Sequence, residues 1–403
     1  VITEIEIERF KSFRKVKLSL GHFNLFIGAN ASGKSNFLDA LRVLQGIGYG
    51  FTVDEIFNGK PKSAGSEVWE AIRGGSARAV FVERGAEAAP TDDVVDWKVR
   101  LRLPDGRVPL YRIFLMPSAG LVREEALEHV YGSGPFTDIP DTSASKIAHY
   151  TRKGSWSLLP IDNRYPVLHQ FLRYLQCRED DKKTIEACIR ALSNMQRLDP
   201  SPPILREYSR APAVKRMGER GENFAALVKT ILKDEGAKSA YLSWLTRLTP
   251  TELTDVTVLS GALGEPLFAL KENGTEYPAP ILSDGTLRFA AIAAAFFQPD
   301  MPDILTIEEV ENSIHPSRLR LLVELLKSQS RSTNRQVIAT THSPIVLAWL
   351  TEEDYKTTFF CKRDEETGES IIKPLTEIAD FLKVVRKQPI SDLFAEGWLE
   401  GAL

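Results

Sequence analysis

Three cysteines in 403 residues, Cys177, Cys188 and Cys361, form no close metal-binding pair, and an odd number cannot complete a disulfide framework. A reducing compartment, the cytoplasm, is therefore expected. Net charge is scarce too. Lys and Arg total 51 against 54 Asp and Glu, a formal charge of -3, so any nucleic-acid contact must come from a local patch. The longest apolar block, Phe289 to Phe297, is too short to span a bilayer, and the start alternates apolar and acidic residues, unlike a basic leader with an apolar core. A soluble chain without membrane contact is expected. Sustained heptads are missing, which excludes a long coiled-coil arm. The balance of 43% hydrophobic and 26% charged residues is that of a globular protein with a full core, built as two or three domains or as one large α/β head with an insertion.

What is present centres on Gly28-Ala29-Asn30-Ala31-Ser32-Gly33-Lys34-Ser35, between the apolar run Phe23 to Ile27 and a helical pattern through Phe37, Leu38, Leu41 and Leu44. This is the strand, glycine-rich turn and helix of a P-loop. Its glycines let successive amides point at phosphate oxygens, Lys34 reaches the β- and γ-phosphates, and Ser35 can ligate Mg²⁺. The candidate phosphate-binding residues are Gly28, Asn30, Ala31, Ser32, Gly33, Lys34, Ser35 and Asn36.

Ahead of this loop, Ile5 and Ile7, then Val16, Leu18 and Leu20, alternate on either side of a corner at Arg9 to Phe13, which predicts a hairpin leading into the P-loop strand. Arg9 and Lys11 lie near the nucleotide if that hairpin runs beside the P-loop strand; a solvated turn is the alternative. After the P-loop helix, Gly46, Gly48 and Gly50, with Asn58 to Ser63, suggest a mobile loop. Val95 to Leu103 and Leu110 to Leu115 flank Pro104-Asp105-Gly106 as an antiparallel hairpin. Loops are expected from about Gly132 to Asp162. Helical spacing at Val167, Leu168, Phe171, Leu172 and Leu175, and again from Phe224 to Leu232, predicts an inserted lid or short arm. Arg206 to Arg210, with Lys215, Arg216 and Arg220, reads either as a phosphate-backbone contact or as a solvated loop diluted by Glu207, Glu219 and Glu222.

Strands are expected around Val256 and Val258 and around Leu267 and Ala269, followed by Leu282-Ser283-Asp284-Gly285-Thr286-Leu287-Arg288 at a helix start. That stretch is a second candidate anion site, or an ordinary capped helix. The buried strand Ile304 to Ile307 then ends in Glu308-Glu309. Adjacent carboxylates at an apolar strand end repel unless a cation compensates, and after a P-loop one acid can orient Mg²⁺ while the next positions the attacking water. Val337 to Thr341 forms a further strand that delivers His342, a candidate γ-phosphate donor. The other histidines outside the motifs, His22, His129, His149 and His169, read as packing or surface residues.

Together these residues resemble the ABC-class ATPase heads of the structural-maintenance-of-chromosomes (SMC), Rad50 and RecF group, and in pattern the AAA-type heads of overcoming-lysogenization-defect proteins. The resemblance rests on Ile5 to Phe13, the Walker A loop Gly28 to Ser35, the signature Leu282 to Arg288, the Walker B end Ile304 to Glu309, the D-loop region Glu311 to Pro316, and His342. It implies an α/β P-loop head, discontinuous over 1–130 and 250–362, with an antiparallel β-layer, an inserted helical lid at 131–249 and a helical tail at 363–403. ATP and Mg²⁺ are the implied cofactors, with Ser35 and Glu308 on the metal, Glu309 as the catalytic carboxylate and His342 as the sensor. Ser283 and Gly285 would contact ATP held by a second copy, so a head-to-head homodimer, or a higher oligomer, is implied. Two positions depart from the pattern: Glu308 stands for the usual aspartate, and Val310 for the usual proline. No Toprim nuclease follows the head, so a separate effector, expected to be a nuclease, is implied in an anti-phage system. It would dock on the lid or on the tail around Leu393, Phe394, Trp398 and Leu399, unless those side chains close the core. A DNA repair ATPase acting directly on nucleic acid, and a nucleotide-stabilised scaffold with little turnover, are the alternatives.

Overall fold

The computed structural model describes residues 1–61, 67–85, 93–128, 146–152, 155–172, 179–248 and 253–403. Its centre is a six-stranded sheet in the order Met195–Leu198, Ile304–Ile307, Gln336–Thr341, Phe23–Ile27, Thr358–Arg363, Ser370–Pro374. The first five strands are parallel and the last is antiparallel to its neighbour. The strands Phe23–Ile27, Ile304–Ile307 and Gln336–Thr341 are buried along their whole length, as strands covered on both faces must be. Because parallel strands carry their C-terminal ends to one edge of the sheet, the P-loop, Glu308-Glu309 and His342 emerge together there.

A second, antiparallel sheet has the order Phe13–Ser19, Ile2–Phe10, Val95–Leu101, Leu110–Met116, Leu121–Glu128. Both predicted hairpins are present in it. The first does not run beside the P-loop strand, however, because the alternating pattern of Ile2–Phe10 pairs with Val95–Leu101 instead. Its corner reaches the P-loop helix (Lys34–Tyr49) through the Lys11–Asp39 ion pair at 2.5 Å. Phe26 stacks on Phe37 and on Phe359, with ring centroids 4.3 and 4.8 Å away, which packs helix and sheet against each other around the P-loop strand.

Several expectations are corrected. Gly46 and Gly48 are not loop residues but lie inside the P-loop helix, where a Cβ on Gly48 would stand 2.4 Å from the Ser193 backbone nitrogen. Gly48 is glycine because the helix Glu179–Ser193 approaches there, a Cβ on Gly46 would stand 2.8 Å from the Ile56 side chain, and Gly50 caps the helix with φ 71°. Within the expected loops after Gly132, Lys146–Arg152 and Ser155–Ile161 form an antiparallel hairpin. Residues 132–145, Lys62, Ser63, His129, Leu175 and Cys177 lie outside the described residues.

The segment read as a lid contributes to the head itself. Met195–Leu198 extends the central sheet, and Phe224–Ile231 packs against Pro266–Glu272 and the helix Asp284–Ala294. The sheet also continues past residue 362, through Ser370–Pro374. The tail closes the core: Ile390, Leu393 and Leu399 are 4%, 1% and 0% exposed, and Phe394 and Trp398 pack beside them. Its apolar side chains are therefore not a free docking surface. Among the described residues no helix is long and apolar enough to cross a membrane.

Candidate nucleotide site

The P-loop surrounds a cleft of about 350 Å³ lined by Asn30, Ala31, Ser32, Gly33, Lys34, Ser35 and Asn36, together with Arg73, Glu309, Thr340 and Arg363. Gly28 and Gly33 have φ of 149° and 108°, and a Cβ at either would come within 2.5 Å of Cys361 O or Ser370 Oγ. No larger residue fits there. Ala31 holds φ 61°, and Gly33 caps the helix without a side-chain hydrogen bond, so the first-turn amides face the cleft. Ser32 Oγ is buried without a partner. A phosphate oxygen is the group that would satisfy such an atom.

Lys34 is 7% exposed, and its Nζ donates to Gly28 O and Ala29 O, both at 2.7 Å. Burial lowers the pKa of its ammonium from the ordinary lysine value, against the raising effect of Cys361, Glu309, Glu311 and Glu308. A triphosphate would offer this cation full charges in place of two carbonyls.

Ser35 Oγ donates to Glu308 Oε1 at 2.5 Å, and the other carboxylate oxygen accepts from Arg197 Nη2 at 2.6 Å. Burial alone would raise the Glu308 carboxyl. The Ser35 hydrogen bond and the charges of Arg197 and Arg73 outweigh it and hold the group below the ordinary glutamate value. Two hard oxygen donors facing the phosphate cradle fit Mg²⁺, which keeps most of its water and takes few protein ligands. The residues that would hold the ion are Ser35 and Glu308. Among the described residues no larger group of metal-ligating side chains occurs.

Glu309 has φ 47°, unusual for a residue with a side chain. Its N–H donates to Thr340 Oγ1 at 2.9 Å, and its Oε2 accepts from Asn312 Nδ2 at 2.6 Å. The residue lines the P-loop cleft. His342 lies beside these acids, with Nδ1 3.1 Å from Glu311 Oε1 and 3.9 Å from Glu309 Oε1.

Ser283 and Gly285 are elsewhere. Ser283 caps the helix Asp284–Ala294, accepting from Thr286 N, and both residues line a separate cleft of about 180 Å³ with Leu248, Thr286, Ile314, His315 and Arg318. Gly285 permits close packing, since its Cβ would lie 2.7 Å from Ser313 O.

Sequence reasoning missed Arg73, Arg197, Thr340 and Arg363. Arg73 donates to Ser35 O at 2.8 Å and pairs with Asp39, which also holds Lys11. Single arginines in a loop or a strand carry no spacing signal, and Thr340 is one threonine in an apolar strand, so only the fold reveals them. The basic stretch from Arg206 is partly accounted for by bracing contacts. Arg206 donates to Asp284 Oδ1 at 2.5 Å, and Arg216 to Asp300 O at 3.0 Å.

Residues 1–62 match the model of an AAA ATPase domain, and residues 251–348 match one described as an AAA domain, putative AbiEii toxin, type IV toxin–antitoxin system. No curated protein matches the chain. Among solved structures, the SMC head bound to the C-winged helix domain of ScpA is 15% identical, with 93% of this chain and 98% of that one covered and a TM-score of 0.53. The SMC head domain from Thermotoga maritima is 13% identical, over 93% and 98% of the chains, with a TM-score of 0.44. An SMC head with an extended coiled coil from Pyrococcus furiosus, bound to the C-terminal domain of ScpA, is 13% identical over 96% and 99%, with a TM-score of 0.48. The first of these shows the fold: this chain is an α/β protein with the fold of an SMC head, and two of its segments match models of AAA-type ATPase domains.

Proposed function

We propose that the chain binds and hydrolyses ATP with Mg²⁺ and works as a dimeric switch subunit. The observation that carries this reading is Glu309. A carboxylate in an unusual backbone conformation, fixed by Thr340 and Asn312, faces the same cleft as Lys34 and the P-loop amides. In that position it accepts the proton of, or orients, a water attacking the γ-phosphate. The cradle from Gly28 to Asn36 binds and orients the phosphates, and Lys34 stabilises their charge. Mg²⁺ at Ser35 and Glu308 would supply charge neutralisation of the phosphate oxygens.

Dimerisation rests on the motif resemblance: Ser283 and Gly285 line a cleft that shares no residue with the P-loop cleft, so within one chain they do not reach its nucleotide. A second copy facing the first would bring each signature to the other's nucleotide. Control of a separate nuclease in anti-phage defence rests on the motif resemblance. The Arg206 and Arg216 contacts weigh against direct nucleic-acid work by that stretch.

Glu309→Gln tests the reading. ATP binding should persist while turnover falls at least about a hundredfold, and an ATP-bound dimer should accumulate on size exclusion. Unchanged turnover would move the base elsewhere. ATP binding without turnover in the unaltered chain would favour a scaffold.

A further inference from the structure

The stretch Leu282 to Arg288 ends in a side chain that the nucleotide reading leaves without a task. Arg288 is 3% exposed, on the helix whose start carries Ser283 and Gly285. Its guanidinium does not point at either cleft. One nitrogen, Nη2, donates to Glu308 O at 3.1 Å and to Glu309 O at 3.2 Å. The other, Nη1, donates to Pro200 O at 2.8 Å and pairs with Asp199 Oδ1 at 3.0 Å. A single buried cation thus ties the backbone of both acids to the signature helix and to the chain leaving the edge strand Met195–Leu198.

That attachment acts where the backbone has its least common conformation. Glu309 sits at φ 47°, with its N–H held by Thr340 Oγ1 on one side and its carbonyl held by Arg288 on the other. A left-handed conformation in a residue with a side chain persists only where the surroundings over-determine it. Carbonyls accepting from a guanidinium make charge-assisted hydrogen bonds, and the planar fork fixes direction as well as distance.

We propose that Arg288 is a positioning residue for ATP hydrolysis: it holds the Glu308-Glu309 backbone in the conformation that turns the Glu309 carboxylate into the P-loop cleft, and it makes that conformation depend on the placement of the signature helix. The inference rests on the ATPase reading above. In a dimer, a phosphate gripped at Ser283 by one copy would bear on the acid serving that same copy's own nucleotide, through one turn of helix and this arginine.

Lysine at 288 keeps the charge but not the fork. Arg288→Lys should therefore retain ATP affinity within about twofold and lower kcat tenfold or more, because the loss lies in orientation rather than in phosphate contacts. Asp199→Asn, at the half-exposed end of the pair, should fold normally and lower kcat about threefold with affinity unchanged. The deciding measurement combines Arg288→Lys, or Asp199→Asn if the lysine variant does not fold, with Glu309→Gln. A residue acting through Glu309 adds no further loss once that carboxylate is gone. Losses that multiply, or an affinity that falls in step with kcat, would overturn the proposal. So would full turnover in both single variants, which leaves the ATPase reading intact, whereas an unaltered chain without turnover removes both.

Discussion

Removing the chain after Gln388 deletes Ile390, Leu393 and Leu399, all buried against the head. Burying a large aliphatic side chain contributes about 1.5–3 kcal/mol, so the three together supply roughly 5–9 kcal/mol. The truncation also removes the Lys362 Nζ hydrogen bond to Glu400 O at 2.7 Å and the edge contact of Phe394 with Phe360, whose centroids are 6.4 Å apart. Against a whole-domain stability of about 5–15 kcal/mol, this loss is between a third and all of it, before the lost hydrogen bond and the cost of exposing the groove are added. The truncated chain should show no cooperative thermal transition and no ATP binding. Leu399→Ala gives the graded version. A buried leucine truncated to alanine costs about 2–5 kcal/mol, and an unfolding entropy of about 2.1 cal/mol/K per residue converts this to a fall in Tm of roughly 2–6 °C. Scanning calorimetry on the two variants is the assay. A truncated chain with the full-length Tm and intact ATP binding would refute the assignment of the tail to the core, and would return it to the surface as a docking segment.

Lys34→Ala removes the buried cation of the phosphate cradle, so ATP affinity measured by calorimetry should fall at least about tenfold at an unchanged fold; undiminished affinity would sink the P-loop assignment. Glu308→Ala should raise the Mg²⁺ concentration needed for nucleotide binding, whereas Glu308→Asp should have a mild effect, which a Mg²⁺ titration of fluorescent-nucleotide binding distinguishes. Burial pushes the Glu125 carboxyl up to about 7, against the Val167 and Leu168 amides and the Tyr111 hydroxyl, which pull it down. The unfolded chain ionises this group near its ordinary value of 4.5, so between that pH and 7 the folded state holds the extra proton. Stability from this group is full below the unfolded value and is lost as pH rises through 7, about 3 kcal/mol in all. Glu125→Gln should flatten that decline in urea midpoints between pH 5 and about 8, and an unaltered slope would show that another group sets it.

The motifs were legible because each is local. A P-loop is eight consecutive residues between a strand and a helix, and Glu308-Glu309 announces itself by putting two acids at the end of an apolar run. Period-two alternation gave the hairpin strands Val95–Leu101 and Leu110–Met116, and continuous apolar runs gave the buried parallel strands. Tertiary structure decided what depends on partners far along the chain. Gly46 and Gly48 look like a loop in sequence and are helix in fact, because the Ile56 side chain lies against the first and the helix ending at Ser193 against the second. Met195–Leu198 is too short to be told from its surroundings until Ile304–Ile307 pairs with it, and that pairing is what places Arg197 on Glu308. The tail's apolar residues suited a partner and the core equally well; only the location of the groove beneath them separates the two. Arg288 was part of a motif from the start. Its four contacts, to residues about 20 and 90 positions earlier or later, exist only once the sheet has brought those backbones together, since long-range hydrogen bonds leave no periodic trace in the sequence.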